Sequence, residues 1–220
     1  MIEKNIFQTY KTRYEELGDY AKSTSGSWMK KNPEWQYNYF SDKDIEDFVR
    51  DFFGKKWLDN LLHCPIGVMK SDMWRCMILY ARGGVYADLD TICTDKVESW
   101  IDEDYSAVFN WGPEGHIQNW TFAAKSGSPV LENILANMDR QLHSINQIDI
   151  NYVYNTTGPV IFTKSIIEYI ESGHDDIMII EDIDLLTIGK VVHLNAARYW
   201  KFDSYDSWNK ELEIKINETV

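Results

Sequence analysis

Residues 85–91, Val-Tyr-Ala-Asp-Leu-Asp-Thr, run an apolar segment straight into two carboxylates one residue apart, Asp88 and Asp90. That pair can share a hard divalent cation through oxygen ligands, and Mg2+ or Mn2+ held there can in turn hold a diphosphate. Spacing alone decides nothing, because Asp42/Asp44, Asp102/Asp104 and Asp182/Asp184 repeat it. Asp42/Asp44 stands where a helix begins, where carboxylates complement the helix dipole. Asp102/Asp104 falls in a polar loop, whereas Asp182/Asp184 follows an apolar run and is a genuine rival. Asp88/Asp90 differs in what precedes it. Asp72 and Arg75, at i and i+3, share one face of a predicted helix. That helix reverses at Gly83-Gly84 and feeds the strand, so the reversal can return Asp72 and Arg75 to Asp88 and Asp90. One guanidinium and three carboxylates then converge. The competing reading is a surface ion pair, worth little, beside two solvated aspartates.

The elements that must position these groups alternate. A strand over 3–9 is followed by a short helix, a turn at Asn32-Pro33 and a strand over 35–40. Ser41 and Asp42 cap a helix with Ile45, Phe48, Val49 and Phe52 on one face. A short helix over 56–63 comes next. Residues 66–81 form the helix of Asp72 and Arg75, with Met69, Met73, Cys76, Met77 and Tyr80 at helical spacing. Strands are expected over 105–111, 120–125, 176–188 and 190–194, and helices from Pro129 to about 143 and from Pro159 to about 171. Such alternation predicts an α/β fold with a mostly parallel central sheet flanked by helices. Residues 1–210 read as one domain, and 211–220 as a polar tail of linker character.

Composition narrows the function classes. The chain has 220 residues and a net charge of −13. Its pI near 4.8 argues against a nucleic-acid partner or an anionic membrane surface. No run reaches the roughly 20 apolar residues of a membrane span, and the N-terminus lacks a signal-peptide core, so a cytoplasmic location is expected. Cys64, Cys76 and Cys93 are an odd number without a CxxC and read as reduced thiols. Trp28, Trp35 and Trp74 read as core. His63, His116, His143 and His174 show no metal spacing. Thr157-Gly158-Pro159 reads first as a helix-start turn and second as an acceptor-side element, and the Gly-rich loop with Glu114 and His116 is a weaker acceptor-side candidate.

The stretch KSDMWRCMILYARGGVYADLDT resembles the signature of the DXD glycosyltransferases of family 32, which include yeast-type mannosyltransferases and bacterial capsule enzymes. The catalytic core of the clostridial glucosylating toxins is similar. NIFQTYKT, SWMKKNPEWQYNYFSD, NTTGPVIFTKSI and Ser207-Trp208 extend the likeness over residues 5 to 208. The resemblance implies a GT-A fold, Mn2+ or Mg2+, and retaining transfer of a hexose from a UDP-sugar donor to a glycan acceptor. UDP and glucose are the first expectations, from spacing like that of the toxins. By resemblance, Asp72, Arg75, Asp88 and Asp90 are the catalytic set. Phe7, Gln8, Thr9, Tyr10, Tyr86 and Asn119 flank the nucleotide sugar, and Ser207 and Trp208 close over the diphosphate. Asp88, Asp90 and His193 are the expected metal ligands, with Asp203, Asp206 and Ser207 as rivals to His193. Three features depart from the family pattern. Phe7 replaces its usual His, Tyr86 is separated from the DXD by Ala87, and His193 stands 14 residues ahead of the Ser-Trp pair. Such a chain can be one module of a longer glycosyltransferase.

Two other classes compete. A Mg2+-dependent phosphohydrolase places Asp-x-Asp-x-Thr after a strand, but Ile92 occupies that Thr position here. A catalytically silent module that binds sugar nucleotides or glycans would share the same residues without turnover.

Overall fold

The computed structural model describes residues 1–143, 150–181 and 190–193. Its centre is a six-stranded sheet in the order β2-β1-β3-β6-β5-β7. The strands are β1 (Asn5–Tyr10), β2 (Gln36–Ser41), β3 (Gly84–Ala87), β5 (Ala107–Trp111), β6 (Ile117–Ala124) and β7 (Ile177–Glu181). β6 alone runs against the others, so β1, β2, β3, β5 and β7 end at the same rim. A small second sheet pairs β4 (Thr91–Cys93) with β8 (Val191–His193), antiparallel.

The helices are α1 (Asp19–Lys31), α2 (Asp42–Phe53), α3 (Lys55–His63), α4 (Gly67–Arg82), α5 (Pro129–Leu142), α6 (Ile150–Thr156) and α7 (Pro159–Glu171). The two faces of the sheet carry separate hydrophobic clusters. One gathers α2 to α7 around Met73, Tyr86, Phe109 and Phe122. The other packs Ile6, Val85 and Val108 against Trp28, Trp35 and Trp100. α4 is buried on nearly every side, which explains its apolar majority and its weak amphipathic pattern. Ser41 caps α2, and its hydroxyl accepts from the Asp44 backbone N–H.

The structure departs from the sequence-based expectations in three places. α1 spans 13 residues, where the apolar pattern predicts only a short helix near Trp28. Its buried face is built from Thr24 and Ser25 with Trp28. The two hydroxyls donate to helix carbonyls of Ala21 and Lys22, so no apolar periodicity marks it. The segment expected as one strand through Asp90 divides, with β3 stopping at Ala87 and a turn carrying Asp88–Asp90 into β4. The helix α6 precedes Pro159 where none is expected from the sequence. The rival Asp182/Asp184, Ser207, Trp208, Asp203, Asp206 and the tail 211–220 lie outside the described residues.

Gly83 (φ 61) caps α4, donating its N–H to the Leu79 carbonyl, and Gly84 (φ 119) opens β3. A Cβ on Gly84 would collide with the Asn5 carbonyl oxygen, whereas Gly54 (φ 80) has open space around it. Gly84→Ala is therefore expected to lose about 3 kcal/mol or more, from strain plus collision. Gly54→Ala should lose about 1 kcal/mol from strain alone. Urea unfolding of the two variants tests the difference, and equal losses contradict it.

Candidate active site

α4 and β3 together place a cation inside the protein. Arg75 is 3% exposed. Its Nη2 lies 3.1 Å from Asp72 Oδ1 and 3.2 Å from Asp88 Oδ1. Nη1 donates to the Asn119 carbonyl at 2.7 Å, and Nη2 donates to Ser71 Oγ at 3.2 Å. The guanidinium also lies 4.7 Å from the centre of the Tyr86 ring. Burial works against the charge of Arg75, but Asp88, Tyr86 and Asp72 hold it firmly protonated. The Arg75 Nε has no partner among the described residues.

Asp72 is equally buried. It accepts from Asn119 Nδ2 at 3.0 Å and from Thr157 Oγ1 at 3.1 Å. Thr157 lies in the α6–α7 connection, so the turn read from sequence first as a helix start opens α7 at Pro159 and also grips Asp72 from 85 residues away. Asn119 reaches both partners because β6 bulges. Val108 pairs with Ala123 and Asn110 with Gln118, so Phe109 alone faces residues 119–122. A bulge of this kind re-aims side chains next to a site.

The aspartate turn is pinned from several directions. The Asp88 carbonyl accepts from the Thr91 N–H at 3.1 Å, Thr91 Oγ1 at 2.6 Å and Gln8 Nε2 at 3.0 Å. Thr24 Oγ1 donates to the Leu89 carbonyl at 2.6 Å, and Trp28 Nε1 donates to Thr91 Oγ1 at 3.1 Å. The Asp88 N–H is held by the Trp120 carbonyl. With its backbone fixed, the turn presents Asp88 and Asp90 at the carboxyl end of β3, beside His193 from β8. His193 Nε2 lies 3.4 Å from Asp90 Oδ1 and 4.0 Å from Asp88 Oδ2. The His193 ring packs 4.9 Å from that of Trp120, centre to centre.

One ligand atom from each of Asp88, Asp90 and His193 falls within 4.8 Å of the others. Ligands side by side on an ion that bonds them at about 2.1 Å stand roughly 3 Å apart. Small side-chain rotations close that difference, so the set fits a divalent cation. Two carboxylates with one imidazole suit Mn2+ at least as well as Mg2+.

The remaining expected site residues divide. Gln8 is buried and spans from the Asp88 carbonyl to the Tyr37 hydroxyl, which donates to Gln8 Oε1 at 2.8 Å. Tyr86 is 1% exposed, and its hydroxyl donates to Asp88 Oδ1 at 2.7 Å. It braces the site from beneath. Phe7 packs into the core against Phe40, and Thr9 Oγ1 donates to the Phe40 carbonyl. Tyr10, 46% exposed, stands at the rim. Ser71, Thr24 and Thr157 contribute without having been singled out for these roles, because single hydroxyls carry no spacing signal.

Burial lifts the Asp72 carboxyl to about 7, against the pull of Arg75 and with Asp88 adding to the lift. A carboxyl with a raised native pKa binds more protons folded than unfolded. Its contribution to stability is therefore largest at low pH and falls between about pH 4 and pH 7. Asp72→Asn is expected to remove that fall. In urea unfolding across this window, the stability of wild type relative to the variant should decline as pH rises. A constant difference is the opposing result.

Comparison with known proteins places this geometry. Residues 18–107 match the glycosyltransferase sugar-binding region containing the DXD motif. The initiation-specific alpha-1,6-mannosyltransferase of Candida albicans is 28% identical over 209 residues, covering 77% of this chain and 53% of that protein. Inositol phosphoceramide mannosyltransferase 1 of Schizosaccharomyces pombe is 25% identical over 185 residues, covering 81% and 56%. The chain thus spans about half the length of the curated relatives it matches. Among solved structures, the PaToxG glycosyltransferase superposes with a TM-score of 0.58 at 20% identity, covering 78% of this chain and 71% of that one. The ligand-free glycosyltransferase domain of the YGT toxin gives 0.56 at 8% identity, covering 83% and 80%. The sheet with its one reversed strand is therefore that of a GT-A fold, and over residues 18–107 the chain is similar to the sugar-binding region of the DXD-motif glycosyltransferases.

Proposed function

We propose that the chain is a metal-dependent glycosyltransferase that moves a hexose from a nucleoside-diphosphate sugar to a hydroxyl of a glycan acceptor, with retention. The observation that carries this reading is the Asp88, Asp90 and His193 cluster beside buried Arg75, at the carboxyl rim of the sheet. Ligands of open α/β sheets bind beyond that rim. The names of the relatives favour mannose over glucose as the hexose. The preference for UDP rests on the likeness of its sugar-site spacing to that of the toxin core, so UDP and GDP are the two carriers to compare.

A divalent cation held by Asp88, Asp90 and His193 supplies charge neutralisation for the departing diphosphate. The chain's own residues do the rest. Asp72, fixed by Asn119 and Thr157, gives the sugar pocket a rigid acidic floor. Arg75 adds fixed positive charge in a desolvated place, where it acts on negative charge as it develops. Tyr86 keeps Asp88 in one orientation through its hydroxyl. Because these groups are locked before substrate arrives, little reorganisation accompanies the reaction.

Calorimetric titration of UDP and GDP, with and without Mn2+, tests the reading. Nucleotide binding should require Mn2+ and weaken at least about tenfold in Asp90→Ala. His193→Ala should weaken Mn2+ binding by about 10- to 100-fold. Nucleotide release from UDP-glucose and GDP-mannose then identifies the donor. Metal-independent binding, or indifference to Asp90, would falsify the proposal, and binding without any release leaves a silent module.

A further inference from the structure

Trp111 is the last residue of β5 and remains 39% exposed. A large aromatic ring in that position is unusual, because β5 ends at the rim that carries Asp88 and the rest of β5 is buried. Alternation along the strands fixes its face. Ala107 and Phe109 belong to the cluster of α4, α5 and α7, as does Tyr86 on β3. Trp111 lies two residues beyond Phe109, and Asp88 two beyond Tyr86, so both side chains point to that same face. Only β6 lies between β3 and β5, which separates the two positions by about 10 Å across the sheet. That is the reach of a short oligosaccharide.

A closed loop follows Trp111. The Gly112 N–H donates to the His116 carbonyl at 2.9 Å, and the Gly115 N–H to the Gly112 carbonyl at 3.2 Å. Gly115 (φ 79) supplies the left-handed corner. The Gln118 side chain packs over Gly112, where a Cβ would displace it. Polar groups suited to hydroxyls lie on the neighbouring strand and on the loop that follows Trp111. Exposed Glu181 pairs in register with Trp111 and so shares its face, and the loop adds exposed Glu114 and half-buried His116. An apolar plate with hydrogen-bonding groups on the adjoining strand and loop matches a pyranose ring, which has C–H groups on its faces and hydroxyls at its edge.

We propose that Trp111 is a stacking platform for a hexose ring of the acceptor glycan, one short oligosaccharide length from the transfer site. The assignment of the glycan as acceptor rests on the transferase reading above, but the saccharide site itself does not. Calorimetry of mannotriose and maltotriose against the full chain, with Mn2+ and nucleoside diphosphate present, tests it in wild type, Trp111→Ala and Trp111→Tyr. Melting temperature checks that each variant folds. Binding of at least one trisaccharide should weaken about tenfold in Trp111→Ala and return to within about threefold of wild type in Trp111→Tyr. The platform is overturned if Trp111→Ala binds as tightly as wild type, if Trp111→Tyr is as weak as Trp111→Ala, or if wild type binds neither trisaccharide. Nucleotide release by wild type reports separately on the transferase. Saccharide binding that depends on Trp111 without release retires the enzyme and keeps the platform. Release with binding indifferent to Trp111 retires the platform alone.

Discussion

A guanidinium sealed inside an acidic protein is the constraint around which the rest is arranged. Removing Arg75 from water costs several kcal/mol unless charges and acceptors replace its hydration. Asp72 and Asp88 supply the charges, the Asn119 carbonyl and Ser71 Oγ the acceptors, and the Tyr86 face a further contact. These groups come from α4, from β3 and the turn after it, and from β6. Satisfying one cation therefore ties α4, β3 and β6 together, and Asp72 brings in the α6–α7 junction through Thr157. Loss of one partner would leave a buried charge uncompensated, which is far costlier than the pair is worth as a net stabiliser.

The same requirement explains the irregular backbone nearby. A regular β6 would place Asn119 by simple alternation against β5. The bulge across residues 119–122 instead lets its carbonyl meet Arg75 while its amide meets Asp72. On the other side the chain must stop being a strand after Ala87, so that Asp88 can reach Arg75 and Asp90 can face His193. Thr91 makes that turn by bonding back to the Asp88 carbonyl through both its N–H and its hydroxyl. The exact position of two carboxylates is thus set by Gln8, Thr24 and Trp28, none of which bears charge.

Much of this was legible in the sequence, for physical reasons that differ by residue. Asp72 and Arg75 at i and i+3, the paired glycines and Asp88/Asp90 are local patterns, and local patterns are what a sequence displays. The convergence of Arg75 on Asp88 follows from a helix reversing into a strand. The fold class follows likewise from alternating elements. What stayed hidden is non-local or carries no period. Thr157 meets Asp72 across 85 residues, and a single threonine before Gly-Pro looks like any helix-start turn. The length of α1 was hidden because its buried face uses hydroxyls in place of apolar side chains. Tyr86 looked like a displaced contact to the ligand, yet its ring lies beneath Arg75 and its hydroxyl serves Asp88.

Charge distribution links the interior cation to the proposed chemistry. Arg75 does not by itself make the pocket positive toward a diphosphate, because Asp72 and Asp88 already face it. Asp90 then leaves the pocket net negative, within a chain of net charge −13. Such a pocket repels a nucleoside diphosphate and attracts a divalent cation. Binding of the cation reverses the local sign, and the diphosphate, once bound, must strengthen cation binding by the same factor. Under the proposed function, the buried pair makes the two events conditional on each other. Had Arg75 stood exposed and unpaired, it would have drawn anions directly, and the Asp88–Asp90 turn would have had far less to contribute.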